Sequence, residues 1–174
     1  VSILDAHRLR ILLLHGSIAS RLLRELAAGI PACVAVTHVD ALVLARSHFD
    51  HSVNYRSVVA FGHARAITDA AAKADALARF VDALLPGRST EARAADAGEL
   101  SATAVLRFAI EDASAKIRAA GASGRAADAG LPYWAGVLPL RTCFGPPRAE
   151  ADGAADMPLP ASVAALLDAA GARP

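Results

Sequence analysis

Ser17, Ser20 and Arg21 follow His15-Gly16 directly, and hydroxyls, a guanidinium and a glycine in that order make a set suited to binding an anion. The serine hydroxyls can donate to a phosphate, and Arg21 offers a planar fork of donors that meets two phosphate oxygens at once. The preceding run Leu12-Leu13-Leu14 reads as a strand, and the helix expected after Gly16 begins with N–H groups that lack intrahelical partners. Gly16 lets a ligand come close to the backbone. A phosphorylated guest is the natural occupant. The same serines also read as helix caps, which is what an isolated Ser-x-x-Ser usually is. His15 reads equally as a strand-end histidine satisfied within the fold and as an imidazole contact to a ligand.

Two further stretches bear on chemistry. Asn54-Tyr55-Arg56-Ser57 stands at the mouth of a strand that turns apolar through Val58, Val59 and Phe61 to Gly62. Pro132-Tyr133-Trp134-Ala135-Gly136 carries the chain's only tryptophan. Each has a plainer reading: Arg56 as the ion-pair partner of a carboxylate such as Asp50, Trp134 as core, and Lys116 further along as a solvated strand lysine. His48, Asp50 and His51 gather two imidazoles and a carboxylate, but without a fixed geometry or a nearby Cys or Glu to complete a set, so no metal is assigned. Ser57, His51 and Asp50 can be written as a triad, yet no Gly-x-Ser-x-Gly elbow supports it. No phosphate-binding loop of the Walker type is present, and Gly16 alone is no dinucleotide fingerprint.

Composition narrows the field. The chain has 174 residues and a formal net charge of +1, enough for one domain, or one domain with a tail, and too neutral to favour nucleic acid or an anionic membrane. Its hydrophobic share of 55% is inflated by alanine, and no apolar run approaches the roughly 20 residues of a membrane helix. Cys33 and Cys143 form neither a metal-ligand spacing nor a disulfide framework, which suits a reducing cytoplasm.

The elements that must position these residues are mostly strands. Residues 1–4, 11–14, 32–39, 41–45 and 57–66 are short, rich in Val, Ile and Leu, and bounded by turn residues such as Gly29, Pro31 and Asp40. Two helices interrupt them, over 17–28 and 69–85, the second with Thr68 as its expected N-cap and an apolar stripe through Ala70, Ala74, Leu77, Val81 and Leu84. Residues 88–98 read as a loop with a short helix. Strand character returns over 103–111, with a bulge or turn at 112–114 and a continuation over 116–118. A Gly/Ala linker over 119–130 leads to a last strand over 132–140, and the Pro- and Ala-rich tail carries a short helix over 161–170.

Taken together, His15-Gly16-Ser17 with Ser20-Arg21, then Asn54 to Val59 with Phe61-Gly62, then Ser114-Ala115-Lys116, then Pro132 with Trp134 to Val137, resemble in order the pyridoxamine 5'-phosphate oxidase-like superfamily. The resemblance is to its branch related to nitroimidazole-resistance proteins, and it spans about residues 1–140. It implies a mostly β fold with flanking helices (α+β), an FMN-binding split β-barrel over residues 1–145, and a peripheral tail over 146–174. Strands completing the barrel are expected to precede residue 1.

The resemblance also implies roles. FMN is the expected cofactor, its phosphate held by Ser17, Ser20 and Arg21, with His15, Gly16, Asn54, Tyr55, Arg56, Ser57, Lys116 and Trp134 contributing to the same site. Leu22 stands where the oxidase has a lysine, leaving Arg21 as the principal nearby charge. A homodimer with the flavin at the subunit interface is implied, as is an oxidoreductase acting on a small electrophilic molecule, with NADH or NADPH as donor. The bound flavin carries the redox chemistry, so no catalytic acid or base is assigned. The oxidase's C-terminal Arg-x-His pair is missing from Val137 to Cys143, so little turnover of pyridoxamine 5'-phosphate is expected. The alternatives are a flavin carrier or sensor without catalysis, and a split barrel that holds haem or a deazaflavin instead.

Overall fold

The computed structural model describes residues 2–3, 11–150 and 157–170. The strands are β1 (Ser2–Ile3), β2 (Ile11–Ser17), β3 (Ala32–Leu44), β4 (Ser52–Ala66), β5 (Thr103–Arg118) and β6 (Gly136–Pro139). The helices are α1 (Arg21–Ala27), α2 (Ala70–Leu84), α3 (Ala97–Ala102) and α4 (Ala161–Ala169). The fold is mostly β with flanking helices, and the strands join in one sheet of order β1-β2-β5-β4-β3-β6. β1 with β2, β2 with β5, and β3 with β6 are antiparallel pairs.

Several elements differ from their sequence reading, each for a local reason. β3 is one strand where two were expected, because Asp40 stays in the ladder: its carbonyl accepts the Leu140 N–H at 2.9 Å while its carboxylate is paired with Arg56. β4 begins at Ser52 rather than at 57, since its polar residues find partners across the sheet, Ser57 with Thr37 and Arg56 with Asp40. β5 runs unbroken through residues 112–114. α1 begins at Arg21 rather than at 17, because Ser17 remains the last strand residue, opposite Thr103, and Ser20 is the N-cap. α2 is capped by Asp69 rather than Thr68, its carboxylate accepting the Ala72 N–H at 2.8 Å. The final strand shrinks to Gly136–Pro139, which leaves Trp134 in the irregular segment before it.

By its contacts the chain forms two compact units, each assembled from separate stretches. The first comprises Val1–Ala32, Gly62–Ile110 and Cys143–Pro174. Its core contains Leu12, Leu23, Leu26, Val105, Leu106, Phe108 and Leu167, with Phe108 fully buried. Even positions of early β5, Leu106 and Phe108, face inward as strand alternation requires, and Val105 is also buried. α3 is held by a capping box between Asp96 and Glu99. α4 lies within the stretch read as a tail, burying Ser162 and Leu167, and both the N–H and the hydroxyl of Ser162 donate to the Glu91 carboxylate.

The second unit comprises Cys33–Phe61 and Glu111–Thr142. Its buried apolar side chains are Ala41, Val43, Ala45 and Ala60, small residues that remove little apolar surface from water. Val39, Val58, Phe61, Ile117, Tyr133, Trp134 and Leu138 remain exposed in the chain taken alone. From Glu111 to Ile117 every residue of β5 is exposed, so both faces of that stretch are uncovered.

Candidate functional site

In the first unit, the turn between β2 and α1 gathers His15, Gly16, Ser17, Ser20 and Arg21. A Cβ at Gly16 would lie 2.9 Å from Leu23 Cδ1, so any side chain there would have to push aside the end of Leu23 where α1 folds back on its strand. The Ser17 hydroxyl accepts from the Ala19 N–H at 3.1 Å, and its carbonyl accepts the Ser20 N–H at 3.0 Å, which shapes the turn. The Ser20 hydroxyl accepts from Leu23 N–H at 3.4 Å, a long cap. Both hydroxyls keep their own protons for another acceptor. Arg21 is 87% exposed, and its Nε stands 3.6 Å from Glu25 Oε1, a loose surface pair. His15 packs edge-on against the Phe80 ring of α2, centroids 4.1 Å apart. That contact fixes the imidazole beside the turn.

In the second unit, Arg56 grips Asp40 across the β3–β4 pair, its Nε and Nη2 donating at 3.0 and 2.9 Å. The expected partner, Asp50, is not the one used. This guanidinium holds the Asp40 carboxyl below the usual carboxylate range and is itself raised by it. The hydroxyls of Ser57 and Thr37 meet at 2.8 Å. Asn54 is buried and turned toward the C-terminal end of β5 and the segment just beyond it. Its oxygen accepts from Arg118 Nη1 and Ala120 N–H, and its amide donates to the Ala120 carbonyl. Tyr55 is half-buried on β4 and Lys116 exposed on β5. Trp134 is 68% exposed and therefore no core residue. Its indole lies over Gly136, where a Cβ would come within 2.8 Å of the ring.

The structure thus groups the β2–α1 residues into one anion-suited turn, whereas Arg56 and Ser57, consecutive on β4, direct their side chains to opposite faces of the sheet. Asp40 and Thr37 were missed as their partners. The signal available was the hairpin itself, since two long antiparallel neighbours bring polar residues opposite one another. Among the described residues no group of three His, Cys, Asp or Glu side chains is placed to hold a metal ion. Among the same residues no helix is long and apolar enough to cross a membrane.

A mostly β chain with flanking helices and a hydroxyl- and guanidinium-bearing turn after an early strand is the architecture of the split-barrel class. The chain belongs to the pyridoxamine 5'-phosphate oxidase family, whose model matches residues 4–117. Among solved structures it is similar to the FAD and haem binding protein from Mycobacterium smegmatis, with 41% identity over 90% of this chain and 77% of that one, TM-score 0.84. It is also similar to the flavocytochrome Anf3 from Azotobacter vinelandii, with 37% identity over 90% of this chain and 72% of that one, TM-score 0.81. A putative 5-nitroimidazole antibiotic resistance protein from Bacteroides thetaiotaomicron shares the fold at 16% identity, over 63% of this chain and 62% of that one, TM-score 0.50. A comparison with curated proteins gives no match.

Proposed function

We propose that this chain is a flavin-binding redox protein that works as a homodimer and also holds a haem. The observation that carries the flavin is Arg21: a guanidinium 87% exposed, loosely paired, and set beside two serines whose hydroxyl protons are available. Charge-assisted hydrogen bonds from such a fork to a phosphate are among the stronger ones a protein surface can make. The exposed Trp134 indole offers an aromatic surface to a ring system. When bound, the flavin supplies hydride or electron transfer to a small electrophile. The chain's own residues bind its phosphate, orient it and exclude water.

FMN is the flavin implied by the sequence resemblance. FAD and haem are what the Mycobacterium smegmatis relative is named for, and at 41% identity that favours FAD as the flavin and haem as a second group. Either flavin presents a phosphate to Arg21. A partner copy is supported by the number of large apolar side chains left uncovered in the second unit, Val58, Phe61, Trp134 and Leu138 among them.

The test is the absorption spectrum of the purified protein, followed by chromatography of the small molecules released on heating. A yellow or yellow-red protein of dimeric mass, releasing FAD or FMN and bleached by NADH or NADPH, supports the reading. A protein that takes up neither flavin from solution overturns it. Flavin that neither nicotinamide reduces would leave a carrier or sensor in place of a reductase.

A further inference from the structure

The turn between β3 and β4 holds one histidine in an orientation that the anion-binding chemistry does not use. His51 Nδ1 lies 2.9 Å from the Ser47 carbonyl oxygen. A carbonyl only accepts, so Nδ1 carries the proton and Nε2 presents a lone pair. The same carbonyl accepts the Asp50 N–H at 3.2 Å, and the Ser47 hydroxyl accepts the Phe49 N–H at 3.2 Å, so a tight turn fixes the imidazole. His51 is exposed, and so is its neighbour Phe49, at 86%. A backbone carbonyl on one ring nitrogen, with the other nitrogen open, is the arrangement that orients a histidine to ligate a metal.

A bare ion would need further protein donors, and among the described residues no group of three could supply them. A haem brings four nitrogens of its own and asks the protein for an axial imidazole and an apolar surface against its ring. The exposed Phe49 ring and the exposed Val53 are of that kind. His48, with its ring centroid 6.4 Å from that of His51, cannot serve the opposite face of the same haem, because the short connection from 48 to 51 cannot pass around a porphyrin edge.

Resting on the haem part of the function proposed above, we infer that His51 is the axial ligand of the haem, binding iron through Nε2 while the Ser47 carbonyl holds Nδ1. Haemin titrated into the full chain should give a shifted Soret band with stoichiometric uptake. His51→Ala should weaken that uptake at least about tenfold, the low end of what even an outer-shell change costs at a metal site. Added imidazole should restore the wild-type band in His51→Ala, and His48→Ala should behave as wild type. Far-ultraviolet circular dichroism and flavin uptake of His51→Ala should match wild type, which separates loss of a ligand from loss of the fold. An unchanged Soret position and affinity in His51→Ala overturns the assignment and leaves the haem reading standing. If the wild-type protein takes up flavin but no haemin, the haem reading falls and this assignment falls with it.

Discussion

Asn54 and Ala120 clasp each other in both directions: the Asn54 amide donates to the Ala120 carbonyl at 3.0 Å, and its oxygen accepts the Ala120 N–H at 3.1 Å. Arg118 adds a third bond to the same oxygen at 2.6 Å. A side-chain amide thereby replaces a missing length of sheet ladder, tying β4 to the point where the chain leaves β5. Asn54 is buried but Ala120 is exposed, so water can reach the groups left behind, and the loss is the net worth of three hydrogen bonds rather than that of sealed unpaired groups. Asn54→Ala should cost about 1–3 kcal/mol in urea or guanidinium unfolding. Asn54→Asp should recover part of this through Arg118 and the Ala120 N–H, while facing the Ala120 carbonyl with a second acceptor. Equal stability of wild type and Asn54→Ala would show that the clasp contributes nothing.

Arg21→Ala should weaken flavin binding by about 1.5–3 kcal/mol, the range for a hydrogen bond to a charged group. Fluorescence quenching of the flavin on titration reads this directly. Thermal stability without flavin should hardly change, because the side chain is 87% exposed and its pairing with Glu25 is loose. Unaltered affinity would remove Arg21 from the phosphate site.

Gly136→Ala should displace the Trp134 indole, since the new methyl would sit 2.8 Å from two ring carbons. The ring is exposed and can swing away, so the stability loss should be small, about 1 kcal/mol or less. A shift in the emission of the chain's single tryptophan would report the movement. If Trp134 contacts the flavin ring, the same variant will also change the quenching of that emission by bound flavin.

Glu99 is held at about 2, first by its hydrogen bonds from Arg93 and then by the Asp96 N–H within the capping box. A carboxyl lowered from 4.5 in the unfolded chain to about 2 in the fold binds its proton more readily when unfolded. Its contribution is therefore fully present above pH 4.5, and it is lost as pH falls from there through 2. Stability curves of wild type and Glu99→Gln should differ near neutrality and converge toward the acid end. A constant offset at all pH values would assign the difference to something other than this carboxylate.

How much was legible in the sequence can be judged from single residues. Gly16 was read as a place for a ligand to approach the backbone; what the fold shows there is the end of the Leu23 side chain from α1, a neighbour no local pattern announces. Ser20 was legible as a cap because capping is a local bond, made within one turn of the helix. The β3 break at Asp40 was misplaced because local propensity counts an aspartate against a strand, whereas Arg56 on the neighbouring strand neutralises it. Trp134 was read as either core or a cofactor contact, and the core reading fails because the strand begins only at Gly136 and leaves the ring exposed.

By itself the sequence determined the family, the mostly β class and the order of strands and helices, because periodicity, turn residues and motif order are properties of neighbouring positions along the chain. The tertiary structure alone decided which polar groups are already engaged and which remain open. Asn54 and Arg56 look alike in the sequence as polar residues at a strand mouth, yet one is buried on Ala120 and the other paired with Asp40, while Arg21 stays exposed. The reason is that hydrogen-bond and ion-pair partners come from strands distant in sequence, and only their pairing in space brings them within reach.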